Sequence, residues 1–204
     1  MFAFGWVAEM VIRSVALRTL VAGGLHLYFY TFTKQGQQLK YDPRPLMKNG
    51  RQFTLGGQIR DNMVWTIASG VTVWTFYEVL MFWAIANGYA PILTWAANPI
   101  WFIALFLLIP VWESFYFYWI HHFLHIPFFY KHVHALHHRT INVGPWSGMA
   151  MHPVEHLIFL GSVWIPFVIA APQLHIRFHT PYYALSAAHT HTGVGGMVIK
   201  YKNR

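Results

Sequence analysis

The stretch IWFIALFLLIPVWESFYFYWIHHFLH, residues 100–125, decides the architecture. From Ile100 to Ile120 it is apolar except around Glu113 and Ser114, about the length of helix that crosses a hydrocarbon core of ~30 Å. It then runs directly into His121, His122 and His125. A membrane helix that ends in imidazoles four residues apart carries chemistry at its boundary. Two histidines at that spacing share one helix face and can reach a common ion.

Working outward, further apolar stretches predict more membrane segments. They run from Val15 to Phe32, Met63 to Ala86, Val154 to Ala171 and, more weakly, Tyr182 to Ile199; the last two either span as a hairpin or dip in and return. Arg18 and the Gly23-Gly24 pair interrupt the first, and Pro172 closes the fourth. Composition agrees: 56% of the 204 residues are hydrophobic and only 10% are charged, against about 25% charged in a soluble domain. So little polarity cannot cover a water-facing surface. The fold class expected is an all-α integral membrane helical bundle of about four transmembrane helices, with a histidine-rich helical cap on the cytosolic side.

The formal net charge of +8 does not mark a nucleic-acid partner, because the basic residues sit in loops between apolar runs. The loop from Lys34 to Asp61 carries Lys34, Lys40, Arg44, Lys48, Arg51 and Arg60 against Asp42 and Asp61. By the positive-inside rule it is expected in the cytosol. The uncharged link Asn87 to Pro99 then lies on the far side, and the histidine block returns to the cytosolic face with Lys131 and Arg139. The closing Lys200, Lys202 and Arg204 are expected there too. The chain divides into 1–99, membrane helices with the basic loop, and 100–204, the histidine-bearing domain.

Nine of the fourteen histidines fall between positions 121 and 156. His134, His137 and His138 repeat the helical spacing of three and four. Isolated histidines such as His26, His175 and His179 read as ordinary satisfied side chains, but a cluster at a membrane boundary leaves too many donors and acceptors to satisfy without a ligand. Neutral imidazole binds iron, zinc or copper. No cysteine is present, which excludes thiolate-held zinc and iron–sulfur clusters. No Glu-x-x-His occurs, so the carboxylate-bridged di-iron bundle is excluded, and oxygen-rich calcium or magnesium sites are poorly served. His152-Pro153-Val154-Glu155-His156 matches the order of inverted zinc metalloproteases, yet that reading leaves the other histidines idle. A metal transporter or a bis-histidine haem protein is the non-enzymatic alternative.

Three ordered motifs carry a resemblance. They are His121-His122-Phe123-Leu124-His125, then His134-Ala135-Leu136-His137-His138, then His152-Pro153-Val154-Glu155. Together with Asn142-Val143-Gly144-Pro145-Trp146-Ser147, they resemble the fatty acid hydroxylase/sterol desaturase superfamily over about residues 100–200. His122 stands where the family commonly has arginine. His189-Thr190-His191-Thr192-Gly193 resembles a later family step in which a histidine completes the site, with His191 the better match and His189 the second candidate.

The resemblance implies O2-dependent oxidation of a lipid by two iron ions, with zinc possible in isolated protein. It implies His121, His125, His134, His137, His138 and His191 as metal ligands. His152 and Glu155 are implied at the site in supporting or pocket-closing roles. Apart from the resemblance, Glu113 lies eight residues and about 12 Å of helix before His121, too far to touch it; it is expected to support another ligand's ring N–H or else to be a charge at the membrane boundary. The family has a further H-x-x-H-H cluster beyond Arg204, so the chain reads as a fragment expected to be inactive alone. No dinucleotide fingerprint is present, so electrons are expected from a cytochrome b5-like protein, a ferredoxin or a reductase. The membrane expected is the bacterial inner membrane or the endoplasmic reticulum. Substrate identity, and hydroxylation against desaturation, stay open in the sequence.

Overall fold

The computed structural model describes residues 4–32, 39–171 and 173–195, with the side chains of Pro166 and Phe167 left out. Lys34, Pro172, Lys200, Lys202 and Arg204 lie outside these residues, as does the end of the expected fifth segment. The described residues are helical, with one isolated antiparallel bridge between Lys40 and Val194.

Three helices are long and apolar enough to cross a membrane: α1 (Phe4–Phe32), α2 (Gln58–Ala86) and α3 (Pro99–Leu124). At 1.5 Å per residue each exceeds the ~30 Å of a hydrocarbon core. A short helix, α4, covers 127–138, α5 is Pro153–Ile165, and α6 is Gln173–Thr190. The expected fourth segment is therefore shorter than its hydropathy suggests. It starts as an α-helix at Pro153 and tightens to a 3₁₀ spiral from Leu160 onward. The α-helical Pro153–Phe159 at ~1.5 Å per residue and the spiral Leu160–Phe167 at ~2.0 Å rise together about 27 Å. The expected fifth segment begins earlier, because the polar run after Gln173 is helical and buries His175, His179 and Thr180.

Burial tells which helix is central. In α2, 61% of the apolar window is buried, against 22% in α1 and 17% in α3. Trp74, Tyr77 and Met81 of α2 meet Met10 of α1, Phe159 and Leu160 of α5 and Ile176 and Tyr183 of α6 in one core, which joins residues on both sides of position 99. The free face of α3 (Ile100, Ile103, Leu107, Val111 and Phe115) is exposed at helical spacing, as a lipid-facing stripe must be. Pro110 stands within α3, and Ser114 Oγ donates to the Pro110 carbonyl at 2.9 Å.

Polar contacts inside the bundle fix how the helices meet. Arg13 of α1 pairs with the buried Glu78 of α2. Arg18, wholly buried, donates to the carbonyls of Ala184 at 2.5 Å and Pro145 at 3.3 Å. Leaving the buried Glu78 without Arg13 costs about 3–5 kcal/mol. At the other end of α2, Asp61 pairs with Arg139, and Asn62 Oδ1 accepts from Thr140 Oγ1 at 3.1 Å. These two contacts bind α4's end to the start of α2. The basic loop is at the same end, since Arg139 also donates to the Gln52 carbonyl at 3.3 Å.

Candidate metal centre

The site begins where α3 stops. Ile126 is extended (φ −59°, ψ 134°), as a residue preceding proline tends to be, and Pro127 opens α4 at its first position. The chain therefore reverses, and the face of α4 bearing His134 and His138 turns back onto His121 and His125. Within α4, Tyr130–His134 forms a wide π-turn, a local irregularity that concentrates at functional sites.

The four side chains converge. One ring nitrogen from each of His121, His125, His134 and His138 lies within 4.8 Å of all the others. The Nε2 atoms of His121 and His125 are 3.1 Å apart, and those of His134 and His138 are 2.9 Å apart. A metal–imidazole bond is about 2.0–2.1 Å. Adjacent ligands on one ion are then separated by about 2.9 Å at a right angle and about 3.4 Å at the tetrahedral angle. Both pairs fit neighbouring positions on one ion. Two neutral imidazoles facing each other this closely share at most one proton, so a cation satisfies all four lone pairs better than the rings satisfy one another.

His134 has a partner on its other nitrogen. Its Nδ1 lies 2.7 Å from Glu155 Oε1, and neither side chain is exposed. The carboxylate fixes the proton on Nδ1 and leaves the Nε2 lone pair toward the cluster, as partners behind metal-binding histidines commonly do. Burial pushes Glu155 up to about 9, against a hydrogen bond from the His152 backbone. Burial also lowers His134 to about 4. Loss of water drives both shifts, each toward the neutral form. A cation on the Nε2 side would restore the carboxylate.

His137 and His191 form a second group beside the first, with ring centroids 5.6 Å apart. His191 Nδ1 donates to the Ala187 carbonyl at 2.9 Å, leaving Nε2 free. His137 Nδ1 is buried without a hydrogen-bond partner. Burial, then His191 and the neighbouring histidines, lowers His137 well below its ordinary value. Gly148 sets this group's position. A Cβ there would lie 2.1 Å from the Ala187 carbonyl oxygen and 3.0 Å from His191 Nδ1, so only glycine lets α6 pass this close. Nothing in the sequence motifs singles out that glycine. A cavity of about 290 Å³, lined by His121, His137, His191, Phe117, Met151 and Tyr183 among others, connects the two groups.

Other expected residues lie elsewhere. His189 is exposed on the opposite wall of α6, lining a different pocket with Leu25 and Tyr41. Alternate positions on a helix cannot both face the cluster. His152 caps α5, its Nδ1 accepting from the Val154 backbone N–H at 3.2 Å. His156 is buried against Ser69 Oγ at 2.8 Å. The His152–Glu155–His156 run thus brings no three donors together as a metalloprotease site requires. Glu113 partners His179 and Ser162 rather than any clustered histidine.

A helical membrane protein with a four-imidazole cage at the end of one spanning helix is the class these features define. Residues 106–203 match the family model described as fatty acid hydroxylase, in line with the resemblance of the sequence motifs to the fatty acid hydroxylase/sterol desaturase superfamily. It is 27% identical over 158 residues to a Δ(7)-sterol 5(6)-desaturase of Aspergillus fumigatus, covering 73% of this chain and 45% of that protein. It is 50% identical over 38 residues to one of Gibberella zeae (19% and 12%). With a sphinganine C4-monooxygenase of Arabidopsis thaliana it shares 38% over 58 residues (28% and 21%). The matched stretches span less than half the length of each of these relatives. No solved structure gives a significant match.

Proposed function

We propose that this chain is part of a membrane lipid oxidoreductase, a hydroxylase or desaturase acting on a sterol, fatty acyl or related lipid. The carrying observation is the quartet of His121, His125, His134 and His138, whose Nε2 pairs stand 3.1 and 2.9 Å apart with Glu155 behind His134. The relatives' printed activities, sterol desaturation and sphinganine monooxygenation, support the substrate class. Iron held there would supply the redox chemistry by which O2 oxidises an unactivated C–H bond.

The chain's own residues hold, orient and exclude. The quartet offers four nitrogens to one ion, and His137 with His191 offers donors to a second. Glu155 holds the His134 tautomer, and the Ala187 carbonyl holds that of His191. Phe117 and the buried Met151 and Tyr183 give the cavity an apolar wall where an acyl or ring carbon would lie. The basic loop shares the histidine end of the bundle, which suits it to an acidic electron donor such as a cytochrome b5-like protein or a ferredoxin; a reductase could also dock there. By the positive-inside rule that end is cytosolic.

Two rivals are disfavoured on geometry. Facing nitrogens about 3 Å apart leave no slot for a porphyrin between a histidine pair. A transporter's ligands gather near the bilayer midplane, whereas the quartet is at a helix end. Elemental analysis of the purified protein, with lipid profiling of expressing cells, tests the proposal. Bound iron and a new oxidised lipid, both lost in His134→Ala, are expected. A protein with no metal and an unchanged lipid profile overturns it.

A further inference from the structure

Deeper along α3, away from the histidines, is a second buried polar cluster. Glu113 is 4% exposed, and its Oε1 accepts from Ser162 Oγ at 2.6 Å and from His179 Nε2. Ser162 belongs to the spiral of α5 and His179 to α6, so three elements meet at one carboxylate oxygen. The other oxygen, Oε2, is buried without a hydrogen-bond partner. Glu113 also lines the cavity that His121, His137 and His191 line. An unpaired buried acceptor costs about 1–3 kcal/mol, more when charged. Glu113 stands two helical turns from His121, an axial rise of about 12 Å, in a wall whose Ser114, Ser186 and Thr190 hydroxyls already donate to backbone carbonyls.

We propose that Glu113 Oε2 anchors a hydroxyl group of the lipid substrate, making Glu113 a specificity-determining residue. The inference rests on the cavity being the substrate pocket of the proposed oxidoreductase. A lipid alcohol supplies what Oε2 lacks, one O–H donor on an apolar body. A ketone, aldehyde or ether of the same shape supplies only acceptors and leaves the carboxylate oxygen unpaired. Because Ser162 and His179 both direct donors at Oε1, the anchor has a fixed polarity. In Glu113→Gln the amide oxygen takes the Oε1 position, and the NH2 group stands where Oε2 was. The cavity then offers a donor instead of an acceptor.

The test is binding to the full chain in nanodiscs, followed by tryptophan quenching, with two probe pairs: cholesterol against its 3-ketone, and hexadecan-1-ol against hexadecanal. The wild-type protein is expected to prefer the alcohol about tenfold or more in at least one pair. Glu113→Gln is expected to level or reverse that preference at unchanged metal content, which a merely structural role would not produce. Equal binding within both pairs, or the same preference in Glu113→Gln, overturns the anchor. A measurement without any variant is the infrared difference spectrum of the wild-type chain. A carboxylate stretch that shifts with the alcohol of the preferred pair and not with its ketone or aldehyde supports the anchor, and no shift overturns it. A chain that keeps the alcohol preference but binds no metal leaves the anchor standing and fails the oxidoreductase reading. A chain that binds metal with no preference does the reverse.

Discussion

His134 Nδ1 and Glu155 Oε1 lie 2.7 Å apart with both side chains sealed from solvent, although twenty-one positions separate them in the chain. Glu155 is the third helical residue of α5, whose N-cap is His152, and the His152 backbone also reaches its carboxylate. One carboxyl thus closes a helix terminus and orients an imidazole. Glu155→Ala is expected to weaken metal binding about 10- to 100-fold, read by competition with a chelator. Glu155→Gln keeps an acceptor and should lose less. Equal affinity in wild type and Glu155→Ala would remove the orienting role.

The division into a quartet and a pair predicts separable losses. His138→Ala deletes one of four donors to one ion, while His191→Ala removes a donor only from the second group. Elemental analysis should show less metal per chain in each variant. In His191→Ala the remaining metal should keep the spectroscopic signature of the quartet. A single variant that empties both positions together would mean the two groups act as one inseparable centre.

Gly148 offers a packing test remote from metal chemistry. The added methyl of Gly148→Ala meets the Ala187 carbonyl oxygen at 2.1 Å, a backbone atom that cannot swing aside. Overpacking of this kind costs about 1–3 kcal/mol, so a lower Tm in detergent is expected. Because α6 must move, the His137–His191 group should suffer before the quartet does. An unchanged Tm would show that the turn at Ser147–Met149 yields easily.

The metal-free protein should have a stability optimum near pH 6.5. Burial lowers His134, His137, His138 and His191. Below the ordinary histidine value they bind fewer protons folded than unfolded, so stability there rises with pH. Glu155, raised to about 9, binds more protons folded than unfolded above the ordinary carboxylate value, and its contribution falls as pH rises. Four histidines outweigh one carboxyl up to about pH 6.5; above it their gain is complete and Glu155 lowers stability as pH rises towards about 9. Tm against pH in excess chelator checks this, and Glu155→Gln should flatten the alkaline limb. A Tm that keeps rising past pH 8 in the wild type contradicts the assignment.

Much of the site was legible because helical spacing is a local property. His121 with His125, and His134 with His138, declare their shared faces in the sequence, and Ile126-Pro127 announces the reversal between them. What was hidden depends on tertiary contact. The motif resemblance favours His191 over His189, but spacing does not; which of them turns inward follows from the crossing of α6 over Gly148. Glu113 was expected beside a clustered histidine; it meets His179 instead, because the polar start of α6 packs into the bundle. Hydropathy likewise placed the last two segments poorly. It leaves open whether these segments span or dip in and return, and it misses buried polar residues whose partners lie on other helices.

The quartet's donors all lie between positions 121 and 138, joined by a single turn at Ile126-Pro127, whereas Glu155 and His191 come from later helices. Pairings that are close along the chain form early and at little entropic cost, and distant ones wait for the intervening segments. During synthesis, the cage can therefore take shape as soon as α4 folds back on α3. Its brace and its neighbouring group arrive only when α5 and α6 dock. An ion captured at that first stage would then act as a template on which the rest of the bundle closes.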